Sequence, residues 1–285
     1  MNVKHLIITF LIPVSLPLAA QTDSQETPPS STNEGTLIGV GHYNIRNSYL
    51  SDGIGYTGWG FQLMNERMRN ASPISRRLST QQVFYAHLSS TFNPAKTISA
   101  LSGFAEYSYG YHYRFQPAPQ LKLLTGAAAH GLLGFLYNTQ SSNNPFALSA
   151  DVDFNLSAAA IYSFRLKNFP LTLRYQADLS LAGAAFAPNY EQSYYEIFGL
   201  GNYDGIIHFT SLHNKFAMRN FITLDFPIEK FTIRIGYLNK MYRTDINSIE
   251  VRHVSHNIMV GFAKEFISFG GKRLKNKRSY QSAFY

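Results

Sequence analysis

Asp204, His208, Ser211 and His213 lie within ten positions of one another, Glu196 stands slightly upstream, and His253 and His256 follow in a later segment. A histidine backed by a carboxylate activates water or a serine hydroxyl for hydrolysis, so this set is the candidate for catalysis. Its spacing matches no catalytic signature, and loop residues are polar for many reasons unrelated to chemistry. Metal binding by His208 and His213 is weaker still, because five positions of separation put them on opposite faces of a strand. No metal and no cofactor is expected.

A second set is defined by alternation. Glu106, Arg114, Asp151, Asp153, Arg174, Asp178, Arg219, Asp225 and Arg234 each share one strand face with other polar residues, as do Glu66, His112 and Lys122. Charges of both signs on one face need partners if that face is enclosed, because an unpaired buried charge is costly. The expected chemistry is a structural ion-pair network, with Asp151 and Asp153 on the strand before Arg174 and Asp178. A polar conduction path for a small solute is the sharper reading of the same residues.

The element that must carry such a face is legible in Ala105 to Phe115. Ala105, Tyr107, Tyr109, Tyr111, Tyr113 and Phe115 alternate with Glu106, Ser108, Gly110, His112 and Arg114. Successive side chains of a strand point to opposite faces, so one face is aromatic and the other polar. In a soluble sandwich the aromatic face would be core; in a transmembrane barrel it meets lipid while the polar face lines the lumen. About ten segments share this alternation, each longer than the roughly 9–11 residues that cross a membrane at a tilt. Sandwich strands are shorter, nearer five or six residues. The barrel reading therefore predicts an antiparallel up-and-down all-β barrel of about ten strands, with eight or twelve as the alternatives.

Connections containing Pro, such as Gln116 to Pro119 and Lys167 to Pro170, are fairly short, while Asn138 to Phe146 and Pro188 to His213 are long. Short turns on the periplasmic side and long outer loops are the habit of membrane barrels. The loop from Asn189 to Tyr203 holds Tyr190, Tyr194, Tyr195, Phe198 and Tyr203, which suit either a glycan or protein partner or a girdle at the lipid headgroups.

Met1 to Ala20 reads as a secretory signal: Lys4, an apolar middle from Leu6 to Leu18, and small residues before Gln21. Residues 21–35 are Thr-, Ser-, Pro- and Gln-rich and read as a disordered leader. The barrel is expected over 36–269 and a basic periplasmic tail over 270–285, which includes the run Lys272 to Arg278. That run carries much of the +8 net charge, and an exported chain has little occasion to meet nucleic acid. With no cysteine there is neither a disulfide nor a thiolate site. Mean hydropathy of -0.15 is too polar for a helical membrane protein, whereas a barrel hides its apolar face in alternation.

The segments Tyr49 to Gly58, Phe61 to Glu66 and Ser211 to Asn220 resemble an uncharacterised family of Bacteroidetes outer-membrane proteins, catalogued as domain of unknown function 3316. The resemblance covers nearly all of the mature chain. It implies a barrel in the outer membrane of a Gram-negative bacterium, with outer-membrane lipid and the barrel assembly machinery as partners, and it implies no activity. The sequence thus leads to a non-enzymatic envelope barrel with a charge-filled lumen, a narrow passage or a surface binder. The alternative is an outer-membrane hydrolase using the rim His and Asp residues.

Overall fold

The computed structural model describes residues 31–51, 53–71, 77–139, 145–167, 169–189, 192–228, 231–267, 284 and 285. The expected signal at 1–20 and most of the expected leader and tail lie outside these residues. The elements are β1 (Ser31–Asn47), β2 (Gly55–Asn70), β3 (Leu78–Phe92), β4 (Ser99–Ala118), β5 (Leu121–Asn138), β6 (Phe146–Leu166), β7 (Phe169–Phe186), α1 (Tyr194–Phe198), β8 (Ile207–Ser211), β9 (Lys215–Ile228), β10 (Phe231–Ile246) and β11 (Ile249–Ile267). Each strand pairs antiparallel with its neighbours, and β1 pairs with β11, which closes a ten-stranded barrel.

Eleven strand segments make ten staves because β8 and β9 are one stave in two pieces. Both run antiparallel to β7: β8 pairs with Ala182–Phe186 and β9 with Thr172–Leu179. The chain between them makes a tight turn in which Asn214 donates its backbone N–H to the Ser211 carbonyl. The sequence reading placed Ile207 to Ser211 in a loop; Asn214 and Ser211 interrupt the alternation there and conceal the strand.

Two boundaries differ from expectation. β1 starts at Ser31, inside the expected leader, because Ser31, Thr32 and Asn33 pair with Ile267, Phe266 and Glu265 of β11 and complete the ladder despite their polarity. At the other end, Phe284 and Tyr285 belong inside the barrel rather than to a periplasmic tail: Phe284 is buried against Met68, Leu124 and Ile161. The outer connections are also not uniformly long. Asn247 and Ser248, at φ 54° and 62°, form a two-residue hairpin between β10 and β11, the left-handed pair that matches the twist of a tight hairpin.

The register fixes the tilt. Followed round the wall from Thr32 through Arg69, Thr80, Tyr111, Ala127, Leu156, Leu179, Met218, Met241 and Val254, a row returns to β1 at Asn44. This stagger is what inclines the staves, and it makes each row climb toward the loop end from β1 to β2 and onward.

Candidate functional site

The inward side chains of the staves form stacked layers. At the end that holds both termini of the wall, Phe284 packs with Met68, Leu124, Ala159 and Ile161. Arg174 and Arg234 lie over its ring at 5.1 and 4.4 Å from the centroid, and the Tyr285 hydroxyl donates to Asp225 Oδ2 at 2.8 Å. Lys122 donates to the Tyr285 carbonyl oxygen. A vestibule of about 850 Å³ beside the turns ends against Tyr285.

The next layer is ionic. Glu66 receives Arg174 at 2.6 Å and Arg234 at 3.3 Å, and Arg234 also holds both oxygens of Asp225 at 2.8 Å. Gln81 and Gln176 join Glu66 to Asp178 through hydrogen bonds, and Asp178 receives Arg219 at 2.7 Å. Above it Leu37, Met64, Val83, Phe221, Leu238 and Met259 form an apolar layer with Tyr85.

A second ionic layer follows. Glu106 pairs with Lys240 and with His130, and Lys215 reaches Asp151 at 3.0 Å and Asp153 at 2.6 Å. The Tyr242 hydroxyl donates to Asp151 at 2.9 Å. Potential ligand atoms of His130, Asp151 and Asp153 lie within 4.8 Å of one another, close enough to hold a metal ion. Lys215 already places its ammonium between the two carboxylates, which makes this a cation site built from the chain itself. A cavity of about 60 Å³ beside these groups, lined in part by Glu106, His130, Arg219 and Lys240, accommodates a few waters.

Toward the loops, the rings of Tyr43, His87, Phe104 and His253 stack with centroids 4.8 to 5.5 Å apart. Gly134 makes this possible: a side chain there would meet the Phe104 ring at 2.3 Å. Tyr56, Ile45 and Leu136 lie above. The described loop residues 187–189 and 192–206 follow at this end, tied by Asn247, which donates to the carbonyls of Ala187 and Pro188, and by Tyr49, whose hydroxyl donates to the Gln192 carbonyl.

All nine charged residues named from alternation face inward; Asp178 with Arg219 and Asp225 with Arg234 pair between neighbouring strands, but Asp151 and Asp153 do not pair with Arg174 on the next strand. Asp151 and Asp153 go to Lys215 and His130, Arg174 goes to Glu66 across the lumen, and Arg114 donates to Asn70 at 3.4 Å. Lys215, Lys240 and Tyr242 were missed. Period-two alternation from Arg234 reaches Lys240 and Tyr242, so the signal for those two was present.

The rim set does not converge. Ser211 Oγ and His213 Nδ1 are 2.6 Å apart, but among the described residues no carboxylate supports His213. His208 turns to the Gly205 carbonyl at 2.7 Å and to Asn247. Among the described residues, Asp204 is held through its backbone N–H, which donates to Asn202 Oδ1 at 3.5 Å. Glu196 caps α1 together with Ser193. His253 is buried in the aromatic stack instead of standing at the rim, and His256 faces outward, bonded to the Tyr237 hydroxyl at 2.7 Å. Parity explains both, since 253 and 256 fall on opposite faces of β11. In the long loop, Tyr194 is an anchor: the Leu148 N–H donates to its hydroxyl at 2.6 Å, and burial pushes that hydroxyl up to about 12. Tyr195, Phe198 and Tyr203 are 71, 59 and 61% exposed.

A family model described as "Protein of unknown function (DUF3316)" matches residues 5–273. No curated protein matches the sequence. Among solved structures, the translocator domain of the autotransporter NalP from Neisseria meningitidis is 9% identical, with 85% of this chain and 90% of that chain covered at a TM-score of 0.40. The outer membrane protease OmpT from Escherichia coli is 8% identical, with 87% and 99% covered at 0.40. Ail, the attachment invasion locus protein of Yersinia pestis, is 9% identical, with 82% and 98% covered at 0.30.

Proposed function

From the premise that the chain belongs to the DUF3316 family of proteins of unknown function, we propose that it is a non-enzymatic outer-membrane barrel with a closed lumen, which presents its long outer loop as a binding surface. The observation that carries the closed lumen is the layering itself. Two ionic layers, three apolar ones and an aromatic stack fill the interior from Phe284 to Tyr56, as a narrow barrel permits. Ile38, Phe61, Leu133, Val152, Ile258 and Phe262 point outward and are largely exposed, which suits hydrocarbon and not water. Both ends of the wall lie at the end with the shorter turns, which supports a periplasmic placement of that end. At the opposite end the exposed aromatics of 194–203 sit on an anchored loop, where a glycan or protein contact is the work open to them.

Planar-bilayer recording of the refolded protein tests the lumen. Silence from verified folded barrel is expected; discrete steps that shift in Arg174→Ala would make it a charged pore and overturn the proposal. A rim hydrolase is the second reading, favoured by the Ser211–His213 contact alone. Turnover of a nitrophenyl ester that vanished in Ser211→Ala would move the function to that reading; background rates in both proteins are expected.

A further inference from the structure

Arg67 and Arg69 stand on the outward face of β2, the same face as Trp59, Phe61 and Leu63. β2 does not leave the wall before them: it stays paired with β3 through Asn70. The two arginines therefore belong to the outer surface of the barrel, and among the described residues neither guanidinium makes an ion pair or hydrogen bond, while the Arg69 carbonyl accepts from the Thr80 hydroxyl. Their rows run Arg67–Gln82–Tyr109 and Arg69–Thr80–Tyr111. Rows climb by roughly 3 Å per strand, given a spacing of about 4.8 Å and a tilt near 40°, so Tyr111 and Tyr113 are level with Arg67 and Arg69. At that height the wall of β4 is still a tyrosine ladder, and Arg77 adds a third guanidinium, donating to the Tyr113 hydroxyl at 2.9 Å.

The charges here are one-sided. Lys264, paired in register with Glu34, brings the outward cations to four. Glu34, which also stands opposite Arg67 in register, is the single described carboxylate among them, and it accepts a hydrogen bond from Asn65. The arginines at the loop end differ: Arg46 and Arg243 share Glu250 at 3.8 and 3.4 Å. Guanidinium groups beside tyrosine hydroxyls, at the border of an apolar wall, offer the donors that a phosphate diester accepts. Tyrosine is at home at that depth, with its ring toward the chains and its hydroxyl toward the headgroups.

The geometry points to a binding site for an anionic phospholipid of the periplasmic leaflet, its phosphate held by Arg67, Arg69 and Arg77 and its headgroup flanked by the Tyr109–Tyr113 ladder. The occupant is a lipid because the cluster lies on the outer wall, continuous with the apolar surface of Leu63 and Phe84. The inference rests on the membrane-barrel reading above.

Gln82, between Arg67 and Tyr109 in register, is the place for a reporter. A Gln82→Trp, Trp59→Phe protein carries a single tryptophan at the site. It is refolded into phosphatidylcholine vesicles containing a minor fraction of chain-brominated phosphatidylglycerol or chain-brominated phosphatidylcholine. Preferential quenching by the anionic lipid is expected, with a preference that falls about fivefold for each arginine removed in Arg67→Gln and Arg69→Gln. Arg46→Gln with Arg243→Gln should leave it unchanged, and heat-modifiable gel mobility establishes that every variant is folded. Equal quenching by the two brominated lipids would overturn the site. Loss of the preference on adding inorganic phosphate at matched ionic strength would also overturn it, by assigning the cluster to free anion. Quenching by neither lipid, in folded protein, would instead overturn the membrane reading on which it rests.

Discussion

Glu66 shows how one residue holds the lumen together. It is 2% exposed and receives, from across the lumen, two arginines of nearby staves, Arg174 on β7 and Arg234 on β10, with β9 between them. Forming such a pair gains little over an apolar contact, but removing one partner strands a buried charge. Asp225 still compensates Arg234 in Glu66→Ala, whereas Arg174 keeps only Gln176. The expected cost is about 3–5 kcal/mol, read as a fall in the urea midpoint of the reconstituted barrel. Asn in place of Asp178 should cost less, because Arg219 lines the cavity of about 60 Å³, which has room for water to replace the lost charge. The facing of these residues was legible from parity alone; the partners that cross the lumen were not, whereas Asp178–Arg219 and Asp225–Arg234 join adjacent staves in register. Alternation says which side of a wall a charge is on, but a lumen lets it cross to any stave. The sequence reading therefore looked to neighbouring strands and passed over Lys215, which begins its strand before any alternation is established.

At the scale of elements, periodicity located most staves and failed where the ladder depends on something other than side-chain polarity. β8 is held by pairing to Ala182–Phe186 ahead of the break at Asn214, and the start of β1 is held by β11; both are polar or irregular in sequence. The hairpin at Asn247 and Ser248 carries a further duty. Its backbone needs positive φ, while the Asn247 side chain ties the long loop through the carbonyls of Ala187 and Pro188. Those functions separate in Asn247→Gly. Glycine takes positive φ without strain, so barrel stability should change by no more than about 0.5 kcal/mol. The loop loses its tether, and faster limited proteolysis within 187–206, with the wall intact, is the expected result. Equal proteolysis of the two proteins would mean that the α1 cap and the Tyr194 anchor suffice on their own.

For the whole molecule, the question is which layer closes the barrel. Phe284 and Tyr285 enter from the turn end and cover the lower ionic layer, which invites the view that they are the seal. The bonding argues otherwise. Glu66, Arg174, Arg234 and Asp225 remain ion-paired with one another when the Tyr285 hydroxyl and the Phe284 ring are gone, and the apolar layer of Leu37, Phe221 and Leu238 lies beyond them. Phe284→Ala with Tyr285→Ala thus removes burial, two cation–π contacts and the Tyr285–Asp225 hydrogen bond but opens no path. Losing a buried Phe contributes about 3–5 kcal/mol of destabilisation, somewhat less here because the 850 Å³ vestibule lets water follow the ring out. The variant should unfold at lower urea and remain silent in planar bilayers. Conductance in that variant, with wild-type protein silent, would make the dipeptide the seal and the ionic layers a wetted path, and the lumen would then be a gated passage rather than a scaffold for the loop end.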